Sequence, residues 1–207
     1  FGKKQLKLEE LKPLSMTLKL NDREREYSFE VGFSGVYNVS NIAAAIATVR
    51  QMNIPMHSII PHLPHLTLPA GRFQYIIKKP YQVVIDYAHT PEALKHLLSS
   101  AAQITTGNLL VVFGCGGDRD QSKRSEMGDI AALYAKYLWV TSDNPRSEDP
   151  LKICHQIIEN LPESNNIHIE INRATAIEQA LRCLKPGDLL CIAGKGHEST
   201  QHIGNQV

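Results

Sequence analysis

Short apolar runs alternate with segments of helical periodicity from Gly71 onward, and this alternation constrains the possible folds more than any other feature of the chain. The predicted strands cover residues 83–85, 109–113, 138–141, 167–169 and 189–193, and the predicted helices cover residues 91–104, 122–135, 150–161 and 174–184. Strands that alternate with helices indicate a parallel sheet, because each helix carries the chain back to the start of the next strand. We therefore predict an α/β domain with a mostly parallel sheet and flanking helices over residues 71–207.

The residues before Gly71 follow a different pattern. Residues 14–20 and 27–31 predict a hairpin of two strands around a polar turn at residues 21–24, and residues 38–52 predict a helix with an alanine-rich face. Four prolines at positions 55, 61, 64 and 69 then interrupt regular structure. We place a domain boundary there and divide the chain into residues 1–70 and 71–207.

The composition argues against several classes of function. The chain has 207 residues, of which 43% are hydrophobic, and this is enough for an ordinary globular core. Its 22 Lys and Arg residues nearly balance its 21 Asp and Glu residues, so no overall charge favours nucleic acid or a membrane surface as partner. Four cysteines without a C-x-x-C spacing disfavour a zinc site and a disulfide framework, and we expect a reduced, cytoplasmic setting.

Four polar loops follow predicted strands, at residues 86–91, 114–119, 143–146 and 193–198. Ligands of open parallel sheets bind beyond the carboxyl ends of the strands, so we expect these loops to share one crevice. The loops and the helix starts after them supply cations and carboxylates: Arg119, Lys123, Arg124, Arg146, Lys195, Asp86, Asp118, Asp143 and Glu198. A set of mixed sign suits a zwitterion such as an amino acid better than a bare polyphosphate.

Each loop also has a purely structural interpretation. The glycines at 114–117 could form only a tight turn, and residues 143–146 could form an Asx-type turn with a surface arginine. No G-x-x-x-x-G-K-[ST] spacing occurs, so residues 194–196 are not a Walker A loop. The absence of G-x-G-x-x-G after the first strand of the α/β region argues against a nicotinamide-binding domain. Of nine histidines, only His89 and His197 fall in strand-end loops.

Six motifs, taken in order, resemble those of the Mur ligase family. They are residues 37–45 (YNVSNIAAA), 71–72 (GR), 86–91 (DYAHTP), 114–124 (GCGGDRDQSKR), 143–146 (DNPR) and 194–198 (GKGHE). The resemblance implies a three-domain enzyme that forms an amide with ATP and Mg²⁺ by way of an acyl phosphate. Residues 1–70 would be the C-terminal portion of its central ATP-binding domain, without the Walker A loop, and residues 71–207 a slightly truncated, Rossmann-like amino-acid-binding domain. We expect a fragment that is inactive alone, in keeping with the missing initiating Met.

The resemblance also implies roles for individual residues. ATP would be bound by Asn41 near the nucleotide, by Arg72 at its phosphates and by Asp86 at its ribose, and Tyr87 and His89 would border the same nucleotide. The incoming amino acid would be bound by Arg119, Asp143, Asn144, Pro145, Arg146, Gly194 and Glu198. No catalytic residue and no metal ligand is expected in this chain, because the family carries its Mg²⁺ ligands upstream. Gln74 stands where the family often has Glu in G-R-x-E, which puts the electrostatics of that loop in question.

The substrates implied by the resemblance are meso-diaminopimelate and UDP-N-acetylmuramoyl-L-alanyl-D-glutamate. Meso-diaminopimelate carries a second carboxylate beside its distal amine, whereas lysine has the amine alone. A guanidinium at Arg146 can bind that carboxylate bidentately, and Asn144 can add a hydrogen bond. Lysine remains the alternative substrate, and a non-catalytic amino-acid-binding module is the alternative for the isolated chain. We expect a monomer without nucleic-acid or membrane partners.

Overall fold

The computed structural model describes residues 6–22, 25–164 and 166–204, and the chain forms two compact units that divide between Leu68 and Pro69. The first unit contains β1 (Leu6–Leu11), β2 (Met16–Asp22), β3 (Arg25–Val31), α1 (Asn38–Gln51), α2 (Met56–Ile59) and a 3-10 helix (Ile60–His65). Its strands form an antiparallel sheet in the order β1-β2-β3. Met16, Leu18 and Leu20 of β2 are fully buried and belong to one core with residues of α1, because alternate strand residues point to the same face.

The first unit partly matches the sequence-based prediction. The hairpin strands and α1 are present, but Asn21 and Asp22 of the predicted turn belong to β2, and Arg23 and Glu24 lie outside the described residues. The sequence does not predict β1, because its charged residues mask the alternation of its apolar ones. The expectation of irregular structure between Pro55 and Pro69 is wrong, since α2 and the 3-10 helix occupy residues 56–65. Pro61 stands in the first turn of the 3-10 helix, where a backbone N–H is not needed.

The second unit is built on a six-stranded sheet. Its strands are β4 (Gln74–Ile77), β5 (Gln82–Asp86), β6 (Leu109–Phe113), β7 (Tyr137–Val140), β8 (Ile167–Ile169) and β9 (Leu189–Ala193), in the order β4-β5-β9-β6-β7-β8. Only β4, at the edge, is antiparallel to its neighbour. The predicted mostly parallel sheet is thus confirmed, whereas the sequence does not predict β4. The last strand in sequence, β9, lies inside the sheet between β5 and β6.

Four helices flank this sheet: α3 (Pro91–Ile104), α4 (Lys123–Tyr134), α5 (Pro150–Ile158) and α6 (Arg173–Arg182). Ala176 and Ala180 of α6 pack against the sheet face that carries Val112 and Leu190. The other three helices pack side by side and contribute no residue to that cluster, so they cover the opposite face. All four lie where the sequence predicts helices, although α5 ends at Ile158 and not at residue 161.

The topology places the polar loops together. The parallel strands β5, β6, β7 and β9 all end at the same edge of the sheet, and one of the four predicted loops follows each of them. This edge is the usual ligand site of open α/β sheets. In the described part of the chain, none of the helices has the length and apolar character needed to traverse a membrane.

Candidate functional site

A cleft of about 390 Å³ opens at this edge, a volume within the range of small-molecule sites. It is lined by Tyr87, His89, Thr90, Gly114, Cys115, Gly116, Arg119, Lys123, Asp143, Asn144, Arg146, Gly194 and Glu198. All four strand-end loops therefore contribute to one crevice. Of the residues predicted to bind an amino acid, only Pro145 does not line the cleft, and Pro145 is buried.

Arg146 presents half of its guanidinium to the cleft. Its Nη1 donates hydrogen bonds to the carbonyl oxygens of Gly117 at 2.8 Å and Asn144 at 3.3 Å. Within residues 6–22, 25–164 and 166–204, its Nε and Nη2 have no hydrogen-bond partner. These two groups form the planar edge that matches the two oxygens of a carboxylate. One edge of the guanidinium is thus fixed by the protein, and the other is available to a ligand.

The backbone of Arg146 is held by residues 201–204, which we call the C-terminal strap. Arg146 has a φ of 52°, in the left-handed region that residues other than glycine rarely adopt. Its N–H donates to the carbonyl oxygen of His202 at 3.1 Å, and the N–H of Gly204 donates to the Arg146 carbonyl at 2.8 Å. These bonds offset the cost of the backbone conformation and fix the starting direction of the side chain.

Polar side chains form a network along one wall of the cleft. Asn144 Oδ1 accepts hydrogen bonds from Lys195 Nζ at 3.0 Å and from the backbone N–H of His202 at 2.9 Å. Glu198 accepts from Lys195 Nζ and from the Tyr87 hydroxyl, both at 3.1 Å. Burial acts to raise the pKa of Glu198, but the bonds from Lys195 and Tyr87 outweigh it and lower the pKa. The oxygen of Asn144 is therefore committed to the protein, and only its Nδ2 can serve a ligand.

Gly194 makes room for the carboxylate of Asp143. Its φ is 107°, and a Cβ at this position would lie 2.8 Å from Asp143 Oδ2. Asp143 Oδ2 and Arg173 Nη1 are both buried and have no hydrogen-bond partner among the described residues. Arg173 is anchored by Nη2, which donates to the carbonyl oxygen of Ala193 at 2.7 Å. Burial lowers the pKa of Arg173, and the charge of Asp143 opposes this change.

An ion pair beneath the cleft joins two of its loops. Arg124 is completely buried, and its Nη1 and Nη2 donate to the two oxygens of Glu148 at 2.8 and 2.9 Å. Glu148 also accepts the N–H of Asp118, and Arg124 donates to the Gly116 carbonyl at 3.1 Å. The bonds from Arg124 lower the pKa of Glu148 to about 2. Of the nine charged residues that the sequence places in the loops and helix starts, four do not line the cleft: Arg124 is internal, the Asp118 carboxylate binds Ser147, and Asp86 and Lys195 also lie outside the lining.

Asp86, which was predicted to hold the nucleotide ribose, has a clear structural role. It is 5% exposed, and its two oxygens accept the N–H groups of Phe73 and Ala88 at 2.7 and 2.8 Å. Asp86 therefore fixes the loop before β4 to the end of β5. Its contact with a nucleotide stays a prediction.

The predicted phosphate-binding residue Arg72 is exposed, with its guanidinium carbon 4.9 Å from the centroid of the Tyr87 ring. The ring centroids of Tyr87 and His89 are 4.7 Å apart. Gln74 Oε1 accepts the N–H of Gly71 at 2.8 Å, so the residue that departs from the family pattern closes the turn that carries Arg72. This arrangement leaves a cation on an aromatic surface beside the cleft.

Asn41 belongs to the first unit and is exposed on α1. Its Nδ2 donates to Asn38 Oδ1 at 3.0 Å, and Asn38 is buried. Its predicted contact with ATP stays a prediction.

Cys115 lines the cleft, but burial raises the pKa of its thiol to about 12, so the thiol is protonated at neutral pH. Cys154 and Cys191 are also buried, and Cys183 is exposed. In the described ranges, no group of three His, Cys, Asp or Glu side chains could hold a metal ion.

Two contributors to the site are not identifiable from the sequence, and for a third, Lys195, the sequence does not indicate the partners. The C-terminal strap has no apolar periodicity that would predict its pairing with residue 146. Arg173 precedes an ordinary helical pattern, and nothing in its neighbourhood indicates that it reaches the end of β9. Lys195 lies in the G-K-G run, which is suggestive of phosphate, although its ammonium binds Asn144 and Glu198.

Known proteins resemble this chain in sequence. The family described as "Mur ligase, glutamate ligase domain" matches residues 71–196. A UDP-N-acetylmuramoyl-L-alanyl-D-glutamate--2,6-diaminopimelate ligase from Bacillus velezensis is 45% identical over 178 residues, which make up 86% of this chain and 36% of that protein. A ligase of the same name from Trichormus variabilis is 39% identical over 197 residues, covering 94% of this chain and 40% of the relative.

The resemblance extends to three-dimensional structure. A solved UDP-N-acetylmuramoyl-L-alanyl-D-glutamate--2,6-diaminopimelate ligase matches with a TM-score of 0.68 and 34% sequence identity. The match covers 96% of this chain and 42% of that one. The present chain thus spans well under half the length of the proteins it is similar to.

Proposed function

The chain belongs to the Mur ligase family, and we propose that it is the amino-acid-binding part of an ATP-dependent ligase that adds meso-diaminopimelate to UDP-N-acetylmuramoyl-L-alanyl-D-glutamate. The names of its relatives and the character of the cleft support this proposal. Because the chain spans only part of the length of those relatives, the complete reaction is assigned to a longer protein that contains it.

The two units would divide the work of that ligase. Residues 1–70 are proposed as the C-terminal portion of the central ATP-binding domain, and residues 71–207 as the amino-acid-binding domain. ATP would supply the phosphoryl group that activates the glutamyl carboxylate. Arg72 offers an exposed guanidinium suited to phosphate oxygens, and Asn41 and Asp86 are the further proposed nucleotide contacts. Mg²⁺ is proposed to accompany the ATP and to be held by another part of the longer ligase.

The observation that carries the proposal is the unpaired edge of Arg146. Its Nη1 is fixed to Gly117, so the guanidinium plane is oriented before a ligand arrives. A carboxylate at Nε and Nη2 would gain two parallel charge-assisted hydrogen bonds without a large cost in side-chain entropy. Meso-diaminopimelate has a carboxylate at its distal end and lysine has none. Arg146 would therefore select the diaminopimelate side chain.

The remaining groups of the cleft suit the other three charges of the same molecule. Glu198 and Asp143 offer carboxylate oxygens to ammonium groups, and Arg119 offers a second guanidinium to the other carboxylate. Asn144 Nδ2 donates to Glu198 Oε2 at 3.5 Å, and its second N–H is left as a donor at the same wall. Binding both ends of the amino acid would orient its reacting amine, and orientation alone can contribute several kcal/mol, roughly 7–11 in favourable cases.

Calorimetric titration of the chain with meso-diaminopimelate and with L-lysine tests the proposal. The unchanged chain is expected to bind meso-diaminopimelate more tightly. Arg146→Ala is expected to lower the affinity for meso-diaminopimelate by about 10- to 100-fold. This corresponds to the loss of roughly 1.5–3 kcal/mol for hydrogen bonds to a charged group. Arg146→Lys keeps the charge without the planar guanidinium. Its affinity for meso-diaminopimelate should therefore lie between those of the unchanged chain and Arg146→Ala.

Arg182→Ala is a matched control, because the Arg182 side chain is 74% exposed on α6 and, among the residues that the structure describes, forms an ion pair with Glu178 alone. It should leave both affinities unchanged. An Arg146→Ala variant that keeps the full preference for meso-diaminopimelate would contradict the assignment of Arg146. If the unchanged chain preferred L-lysine, the lysine-adding alternative would replace the proposal.

A further inference from the structure

We propose that Lys195 is a specificity-determining residue, which disfavours amino acids of net positive charge through its own charge and not through contact with the ligand. Lys195 acts in the cleft assigned above to meso-diaminopimelate, so its proposed role rests on the proposed function. The expected effect differs from that of Arg146, which would bind a ligand directly.

The position of Lys195 is well defined. Its side chain is 11% exposed, and its Nζ bonds to Asn144 Oδ1 at 3.0 Å and to Glu198 Oε2 at 3.1 Å. Both partners line the cleft, whereas Lys195 itself does not. The ammonium therefore sits behind the cleft wall, close enough to act on charges in the cleft and held too firmly to swing away.

The charge balance of the cleft gives Lys195 its effect. The lining contains three cations, Arg119, Lys123 and Arg146, and two carboxylates, Asp143 and Glu198. With Lys195 behind Glu198, the cations outnumber the carboxylates by two. Such a site disfavours a ligand of net positive charge.

Meso-diaminopimelate and lysine differ in this property at neutral pH. Meso-diaminopimelate has two carboxylates and two ammonium groups, so its net charge is zero, whereas lysine has one carboxylate and two ammonium groups and carries a net charge of about +1. The charge of Lys195 would repel lysine as a whole and leave meso-diaminopimelate nearly unaffected. A purely structural role of Lys195, in contrast, would affect both ligands equally.

Titration of Lys195 variants with meso-diaminopimelate and with L-lysine separates these roles. Lys195→Gln keeps a hydrogen-bond donor and removes the charge. It is expected to reduce the ratio of the dissociation constant of L-lysine to that of meso-diaminopimelate by about threefold to tenfold. Lys195→Arg keeps the charge and should keep the ratio. Raising the salt concentration should reduce the ratio in the unchanged chain more than in Lys195→Gln, because salt screens the charge.

Lys185→Met is the matched control, since Lys185 is an exposed lysine that precedes β9, whereas Lys195 follows it. The five residues of β9 span roughly 16 Å, which exceeds the Debye length at physiological salt. The charge of Lys185 should therefore have little effect on a ligand in the cleft. Thermal unfolding followed through Trp139 verifies that each variant is folded, and Lys195→Met provides a second neutral variant.

Equal weakening of both ligands in the two neutral variants, or an unchanged ratio, would overturn the role of Lys195 and leave the proposed function intact. If the unchanged chain bound neither amino acid, the proposed function would fail, and the role of Lys195 with it. A ratio that falls in the neutral variants and persists in Lys195→Arg and Lys185→Met is the result that supports the proposal.

Discussion

The ion pair between Arg124 and Glu148 offers a sharp test of how the cleft is supported. Glu148→Gln removes the charge of Glu148 and keeps its shape and one carbonyl oxygen. Arg124, which is 0% exposed, would then be a buried cation without its carboxylate. Removal of one partner from a buried pair typically costs about 3–5 kcal/mol, because the remaining charge cannot regain its hydration.

The pKa of Glu148 gives a second measure of the same cost. The pKa falls from 4.5 to about 2, mainly through the hydrogen bonds from Arg124. This difference of about 2.5 corresponds to about 3 kcal/mol of folding free energy. The Glu148 side chain keeps 18% of its exposure, so solvent screening reduces the expected loss to about 2–3 kcal/mol.

The loss should depend on pH in a defined direction. Since the pKa of Glu148 is lower in the folded than in the unfolded chain, its stabilising contribution is complete above about pH 4.5 and declines as the pH falls toward 2. The difference in unfolding free energy between the unchanged chain and Glu148→Gln should therefore be largest at neutral pH. At about pH 3 it should be reduced to roughly half.

Urea unfolding followed by the fluorescence of Trp139 measures this difference. Trp139 is the single tryptophan of the chain, is 2% exposed and lies in the same unit as the ion pair. Glu178→Gln is the control, because Glu178 is 60% exposed in its side chain and its removal should cost less than about 0.5 kcal/mol. A loss in Glu148→Gln that is equally large at neutral pH and at about pH 3 would refute the electrostatic reasoning.

Three further predictions concern other parts of the site. Gly194→Ala places a Cβ 2.8 Å from Asp143 Oδ2 at a φ of 107°. In calorimetric titration it should weaken the binding of meso-diaminopimelate at least tenfold, a loss of about 1.4 kcal/mol. Unaltered binding would show that the loop can shift. Tyr87→Phe removes the hydroxyl bonded to Glu198 and keeps the ring, so it should weaken meso-diaminopimelate by about threefold to tenfold without a loss of thermal stability above about 1 kcal/mol. A thiol reagent should label one of the four cysteines in the folded chain, Cys183, and rapid labelling of a second would contradict the observed burial of the other three.

Regular elements of this chain can be predicted well because their signals are local. Apolar runs such as Leu109–Phe113 and Leu189–Ala193 are buried strands with the predicted bounds, and Pro91 starts α3 as expected. The edge strand Gln74–Ile77 has no such signal, because only alternate residues are half-buried and it pairs on one side only. The sequence therefore indicates the central strands, which are buried on both faces, more clearly than the edge strand.

The location of the cleft could also be predicted, since parallel strands must end at the same edge. The roles within it could not be assigned as reliably from residue type. Arg124 and Arg146 are both arginines in strand-end segments, yet one is internal and the other lines the cleft. What separates them is the carboxylate of Glu148, a partner 24 positions away from Arg124 that becomes its neighbour only in the folded unit.

The insertion of the last strand between two earlier ones has a consequence for the synthesis of the protein. During synthesis, β5 and β6 cannot complete their pairing until β9 has been made, because β9 lies between them. Cys191 of β9 pairs with Val84 on one side and with Val111 on the other. Until β9 arrives, the facing edges of both strands present unpaired N–H and C=O groups, which are templates for aggregation. A nascent chain that stalls before Leu189 is therefore expected to need chaperone protection or to be degraded, however complete its earlier elements are.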